Sequence, residues 1–103
     1  MTKGYVILTE SIHDQAGMQE YAIASYPSLQ EHGAKILVVE PEVEVLEGEW
    51  HGNRTVVVEF DSVEAAREWY RSAAYQAALP LRLAASQCNV VITGGFVPRI
   101  PQG

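Results

Sequence analysis

Four short runs of β-branched, aliphatic and aromatic residues, at 5–9, 36–39, 55–60 and 89–93, limit what this chain can become. Each is too short for a helix that buries a face, and each is bounded by polar residues, glycine or proline, the pattern of strands. Side chains alternate across a strand, so every run divides into two sets. One set, Val6, Leu8, Ile36, Val38, Val56, Val58, Phe60, Val90 and Ile92, is apolar throughout and predicts a covered face. The other comprises Tyr5, Ile7, Thr9, Leu37, Val39, Thr55, Val57, Glu59, Val91 and Thr93. It keeps five aliphatic side chains where a face open to water would be polar, so it too predicts a cover.

Between the strands the spacing changes to that of helices. Asp14 is placed to cap a first helix, along which Met18, Tyr21, Ala22, Ser25 and Leu29 share a face, with Gly33 past its end. Pro27 predicts a kink or interruption in it. Pro41 predicts a bulge, with 43–46 continuing the second strand. The glycines and asparagine of 47–53 then reverse the chain into a hairpin. Asp61 or Ser62 caps a second helix, with Glu64 completing a capping box if Asp61 is the cap. Val63, Ala66, Trp69, Tyr70 and Ala73 form its apolar face, and Ser72 and Pro80 predict a break in the stretch to Cys88. The order β-α-β-β-α-β is an α+β, ferredoxin-like sandwich: a four-stranded antiparallel sheet with its helices on one face. It predicts a single domain over 1–96, and the proline-bearing tail 97–103 predicts a C-terminal arm.

A second copy of the same sheet is the simplest cover for the greasy outer face, which predicts a homodimer enclosing space between two sheets. The 103 residues include 13 acidic and 7 basic side chains, a net charge of -6. That balance argues against nucleic acid or anionic lipid as a partner, and no apolar stretch is long enough to span a bilayer. Residues 1–4 lead straight into a strand without a signal-peptide pattern, which predicts a cytoplasmic protein. Cys88 is the one cysteine and reads first as a small buried hydrophobe.

Several segments are familiar: Val45-Leu46-Glu47-Gly48, Val58-Glu59-Phe60, residues 62–70 (Ser-Val-Glu-Ala-Ala-Arg-Glu-Trp-Tyr) and residues 75–82 (Tyr-Gln-Ala-Ala-Leu-Pro-Leu-Arg). From Lys3 to Gly94 the chain resembles the bacterial family called domain of unknown function 1330. That family is similar in fold to the dimeric α/β barrel group, so the resemblance implies ferredoxin-like subunits joined through their sheets. Relatives of the fold include cofactor-free monooxygenases, haem-degrading enzymes, lactone isomerases and stress-responsive proteins, a spread that forbids reading activity from fold.

Candidate chemistry starts with Glu59, since a carboxylate within a β-branched strand must be paired, hydrated in a cavity, or neutralised. It reads either as a proton acceptor or as the structural partner of Arg54 or Arg82. Tyr5 and Thr9 are candidate polar groups of a pocket, with Tyr5 the hydrogen-bond donor. Arg54 or Arg82 could clamp an anion, and Trp50 with Tyr70 could wall a flat ligand. Trp69 reads as packing. His32 suits the end of the first helix and is a further candidate ligand contact. His13, His32 and His51 lack metal-ligand spacing, and no Gly-rich phosphate loop is present, so neither a metal nor a cofactor is expected. The expected function is a small homodimer that binds an organic molecule in a pocket beside the sheet. It would act by cofactor-free proton transfer, isomerisation or oxygenation, or serve as a non-enzymatic ligand-binding or protein-interaction module.

Overall fold

The computed structural model describes residues 2–98. Val97 and Pro98 are exposed, and the remainder of the expected 97–103 arm lies outside the described residues. The elements are β1 (Gly4–Ile12), α1 (Gln15–Glu31), β2 (Lys35–Glu40), β3 (Arg54–Phe60), α2 (Val63–Arg71), α3 (Ala73–Ala85) and β4 (Ser86–Gly94). The strands form one sheet in the order β2-β3-β1-β4, with every neighbouring pair antiparallel. This is the α+β ferredoxin-like arrangement, with a sheet of four strands and three helices.

Alternation in β1 carries the packing: Gly4, Val6, Leu8, Glu10 and Ile12 are buried, and the residues between them are half-buried. The first set faces the helices, where Val6, Leu8, Val58 and Phe60 meet Met18, Tyr21, Ala66, Trp69, Tyr75 and Ala78. Trp69 stacks on Phe60 and Tyr75 with ring centroids 5.3 and 4.1 Å away. Each such aromatic pair contributes about 0.5–1.5 kcal/mol beyond the area it buries.

Local chemistry explains the helix ends. Asp14 accepts a bond from the Gly17 amide at 3.0 Å and starts α1, and Gly33 just beyond takes φ 67. The expected interruption at Pro27 does not occur, because the carbonyl it leaves unpaired belongs to Ile23 on the exposed side of α1, where water can satisfy it. Ser62, not Asp61, caps α2 by accepting from the Ala65 amide at 3.0 Å, and Glu64 pairs with Arg67 instead of closing a capping box. The break falls at Ser72, whose hydroxyl donates to the Trp69 carbonyl at 2.7 Å and accepts from the Tyr75 amide at 3.2 Å. Pro80 is accommodated within α3. Cys88 belongs to β4, which begins at Ser86, and is half-buried.

In β2 the pairing passes from Ile36↔Val58 to Val38↔Val57, so Leu37 is a bulge residue and the phase of the strand changes there. The bulge is therefore at Leu37 and not at Pro41. Ile36 and Val39 face the helices, while Val38 joins the outer face, the reverse of the expected places of Val38 and Val39. The outer face then carries one aliphatic row across all four strands, Val38, Val57, Ile7 and Val91, with Val38 40% and Val91 53% exposed. Residues 43–46 form no strand, since β3, the neighbour they would need, begins only at Arg54. The return at 52–53 is tight. Gly52, at φ 89, passes so close to β1 that a Cβ there would stand 2.2 Å from the Glu10 carbonyl oxygen. Asn53 donates its amide to that oxygen at 2.7 Å and exchanges side-chain bonds with the Ile12 backbone at 2.9 and 3.1 Å.

Candidate functional site

Between α1 and the β2–β3 side of the sheet lies a cavity of about 210 Å³. Leu8, Ile36, Val39 and Val56 line it from the sheet, Tyr21, Ala22, Ser25, Tyr26 and Leu29 from α1, and Trp69 from α2. Most of this wall is aliphatic or aromatic. The exceptions are the hydroxyls of α1 and one charged pair, Glu10 and Arg54.

Register places that pair. Glu10 stands opposite Arg54 on β3 and opposite Cys88 on β4, so the three form a row on the helix-covered face. Arg54 donates from Nε to Glu10 Oε1 at 2.6 Å. For the second carboxylate oxygen, Oε2, the one hydrogen-bond partner among the described residues is the Cys88 thiol, at 3.9 Å. Glu10 is 1% exposed and Arg54 25%, so the carboxylate is held inside and its counter-ion reaches the edge. A buried carboxylate persists only when paired and hydrogen-bonded.

Behind the cavity wall, Tyr21 and Tyr75 share a hydrogen bond of 2.8 Å between their hydroxyls, and Arg82 Nε donates to the Tyr75 hydroxyl at 3.4 Å. The Arg82 guanidinium carbon is 5.9 Å from the centroid of the Tyr21 ring. Burial pushes the Tyr21 pKa well above its ordinary value, and the Tyr75 hydroxyl adds to the effect. For Arg82 burial acts downward, but Tyr75, Cys88 and Tyr21 outweigh it and the net shift is upward. Trp69 Nε1 donates to Ser28 Oγ at 3.1 Å, which fixes the indole against α1.

The residues singled out in the sequence fall into separate places. Tyr5 donates to Glu59 Oε2 at 3.2 Å, and the pair sits on the outer face with Lys35 opposite Glu59. Burial, and then the bond to Glu59, raise the Tyr5 pKa. Neither arginine partners Glu59, since Arg54 is bound to Glu10 and Arg82 to Tyr75. Thr9 is also on the outer face, in register with Thr55, whose hydroxyl accepts a bond from Trp50 Nε1 at 2.9 Å. Tyr70 packs on Trp69 and Tyr75 beside Ile92, Arg67 and Gln76, away from the cavity. His32 Nδ1 stands 2.9 Å from the Ser28 carbonyl at the end of α1. Only Arg54 of the expected set lines the cavity, with Arg82 behind its wall. Glu10 is the acid that the sequence reading passed over. The step of two from Val6 through Leu8 to Glu10 and Ile12 was the signal that could have found it.

Among the described residues, no three His, Cys, Asp or Glu side chains could together hold a metal ion, and no helix is long and apolar enough to cross a membrane.

No curated protein matches this sequence. Solved structures share its fold. The RPA0582 protein of unknown function from Rhodopseudomonas palustris aligns with TM-score 0.79 at 18% identity, over 94% of this chain and 85% of that one. SnoaB from Streptomyces nogalater, a cofactor-independent oxygenase, aligns with TM-score 0.64 at 10% identity, over 99% and 98% of the two chains. A dimeric ferredoxin-like protein of unknown function from Thermobifida fusca aligns with TM-score 0.54 at 11% identity, over 90% and 91%. At these identities the likeness establishes the ferredoxin-like subunit fold and nothing about activity. The sequence itself matches over residues 3–96, and by that match the chain belongs to the family described as domain of unknown function (DUF1330).

Proposed function

We propose that this protein binds a small, mainly apolar organic molecule in the cavity beneath α1 and transfers a proton to or from it, working as a homodimer joined through its outer sheet faces. The observation that carries the reading is the Glu10–Arg54 pair at the wall of an otherwise apolar cavity. Glu10 Oε1 is engaged by Arg54, while Oε2 has no strong donor, so it is the oxygen available to take a proton. The negative charge left on the molecule would face the Arg54 guanidinium, which stabilises it more strongly in a dry site than in water. Cofactor-independent oxygenation by SnoaB, on the same fold, supports chemistry of this kind without naming the reaction.

Support for the homodimer comes from the aliphatic row Val38, Val57, Ile7 and Val91 and from the dimeric Thermobifida fusca protein. In this reading Tyr5, Thr9, Glu59 and Trp50 belong to the sheet-to-sheet contact, and Glu10 replaces Glu59 as the proton acceptor. The single domain 1–96 carries both surfaces. A reducing, cytoplasmic setting fits the free thiol of Cys88 beside Glu10.

A two-ring ketone with an acidic C–H, 2-tetralone, tests the reading. Wild-type protein should bind it with quenching of Trp69 fluorescence and accelerate exchange of its α-hydrogens with solvent deuterium, followed by NMR. Ala22→Phe, which fills the cavity from the outer side of α1, should abolish binding, whereas Glu10→Gln should keep binding and lose the exchange. Binding unaffected by Ala22→Phe would remove the cavity from the account. Exchange unaffected by Glu10→Gln would remove Glu10 as the proton acceptor, and binding without accelerated exchange in the wild-type protein would favour the non-enzymatic alternative.

A further inference from the structure

Two charged side chains line the cavity and a third, Arg82, stands behind its wall, and their charges do not cancel. Glu10 carries one negative charge, and Arg54 and Arg82 carry one positive charge each. Arg82 is 3% exposed, yet among the described residues no carboxylate lies within ion-pair distance of it. Its hydrogen bond goes to the neutral hydroxyl of Tyr75, at 3.4 Å, and the Cys88 thiol is a further uncharged polar neighbour. A guanidinium taken out of water without a counter-ion is costly, and here the Tyr75 and Tyr21 hydroxyls and the Cys88 thiol hold it without cancelling its charge. General basicity does not account for it, because the chain has only seven basic side chains and a net charge of -6.

The hydrogen-bond partners point the same way. Arg82 donates to the Tyr75 oxygen, and Tyr75 shares a hydrogen bond with Tyr21 in which either hydroxyl can be the donor. Tyr21 lines the cavity, so this hydroxyl pair carries the influence of Arg82 to the cavity wall. Arg54 spends Nε on Glu10, and its two terminal nitrogens make no hydrogen bond to the described residues. The cavity therefore offers free donors on Arg54 and a surplus of positive charge on the side of Arg54 and Tyr21.

We infer that the molecule this cavity takes is an anion, in the simplest case a one- or two-ring carboxylate whose charged end meets Arg54 and Tyr21 while its rings lie against the aliphatic wall and Trp69. The inference rests on the cavity being the binding site and adds the class of ligand. The bound anion brings the three interior charges to balance, with Arg82 acting through Tyr75 and Tyr21 as a positioning residue. The proton taken by Glu10 is then a second one, from a hydroxyl or a C–H of the ring system, since the acid group arrives ionised.

The test compares 2-naphthoate with its neutral isostere 2-naphthamide on the full chain at pH 7, by Trp69 fluorescence in a Trp50→Phe background and by calorimetry. The naphthoate should bind at least tenfold more tightly. That preference should fall to near unity in Arg82→Met, and Arg82→Lys, which keeps the charge, should restore part of it. Equal affinity for the two probes in the wild-type chain overturns the inference while leaving the cavity reading intact, and this comparison does not depend on any Arg82 variant folding. A preference that persists unchanged in Arg82→Met also overturns it. Binding of neither probe defeats the cavity reading and the inference together.

Discussion

Replacing Arg82 by methionine should change the stability of the protein little, although Arg82 is among its most buried side chains. The substitution removes a long hydrogen bond to Tyr75, a contribution of about 0.5–1.5 kcal/mol at best for bonds of this kind. It also removes an approach to the Tyr21 ring at the outer limit of a cation–π contact, about 0.5–1 kcal/mol. No charge loses its partner, and Tyr75 keeps its bond to Tyr21 at 2.8 Å. On the other side stands the desolvation of an unpaired guanidinium, several kcal/mol by the usual order of magnitude, which methionine of similar length relieves. The expected change lies between about 1 kcal/mol lost and about 2 kcal/mol gained, from the difference of these terms. Arg54→Met supplies the contrast, since it leaves buried Glu10 with a thiol as its one side-chain hydrogen-bond donor among the described residues and should cost about 2–4 kcal/mol. For a chain of this length 1 kcal/mol moves Tm by about 4–8 °C, so calorimetry and urea melts at fixed protein concentration separate the two outcomes. A loss above about 3 kcal/mol for Arg82→Met, with unchanged cooperativity, would mean that Arg82 is a structural keystone, and the charge-surplus argument would fail.

Gly52→Ala should cost more than about 2 kcal/mol, because it meets both a positive φ and a backbone oxygen at 2.2 Å; a near-neutral urea midpoint would contradict the close approach of 52 to β1. Arg54→Met combined with Glu10→Gln should recover most of the Arg54→Met loss, and strict additivity of the two changes would show that the pair is not coupled. Stability should fall as pH rises above about 10, where tyrosines of the unfolded chain ionise but Tyr21, with its raised folded pKa, remains protonated. Tyr21→Phe should flatten that fall, followed by urea midpoints and phenolate absorbance; an identical slope would place the effect elsewhere. Val57→Asp, in the aliphatic row of the outer face, should convert a dimer to a monomer in sedimentation velocity while preserving the Trp69 signal, and a monomer in the wild-type chain would refute the sheet-to-sheet pairing.

The fold was open to a reading of the residues because its signals repeat: three strands keep a clean period of two, and serine or aspartate stands at each helix start. β2 was the exception. Ile36-Leu37-Val38-Val39 is aliphatic at every position, so a bulge at Leu37 leaves no mark in composition, and only the partner Val57 reveals which side chains it turns outward. The cavity was less legible for a related reason. Arg54 and Arg82 could be singled out as isolated cations, but their partners depend on register and helix packing that a one-dimensional pattern does not contain. Glu59 drew notice because it interrupts a greasy strand, and the fold answers it with Tyr5 from the neighbouring strand. Glu10 drew none because it lies just past the run 5–9, although the alternation carries it inward to the covered face.

The two faces of the sheet are coupled through β2. Because the bulge gives Ile36 and Val39 to the cavity and Val38 to the outer row, one irregularity supplies an apolar wall on one side and completes a four-strand apolar row on the other. Any contact with a second copy that presses on Val38 therefore bears on the strand that walls the cavity, and β2 is exposed along its whole length in the single chain. Pairing of the outer faces would restrict β2 and lower the entropy lost when a ligand settles against Ile36 and Val39. Affinity for 2-naphthoate should then rise with protein concentration through the range where dimers form, and Val57→Asp, which touches no cavity residue's charge, should weaken it several-fold. Affinity independent of both would show that the cavity is complete within one chain and that the bulge serves the two faces separately.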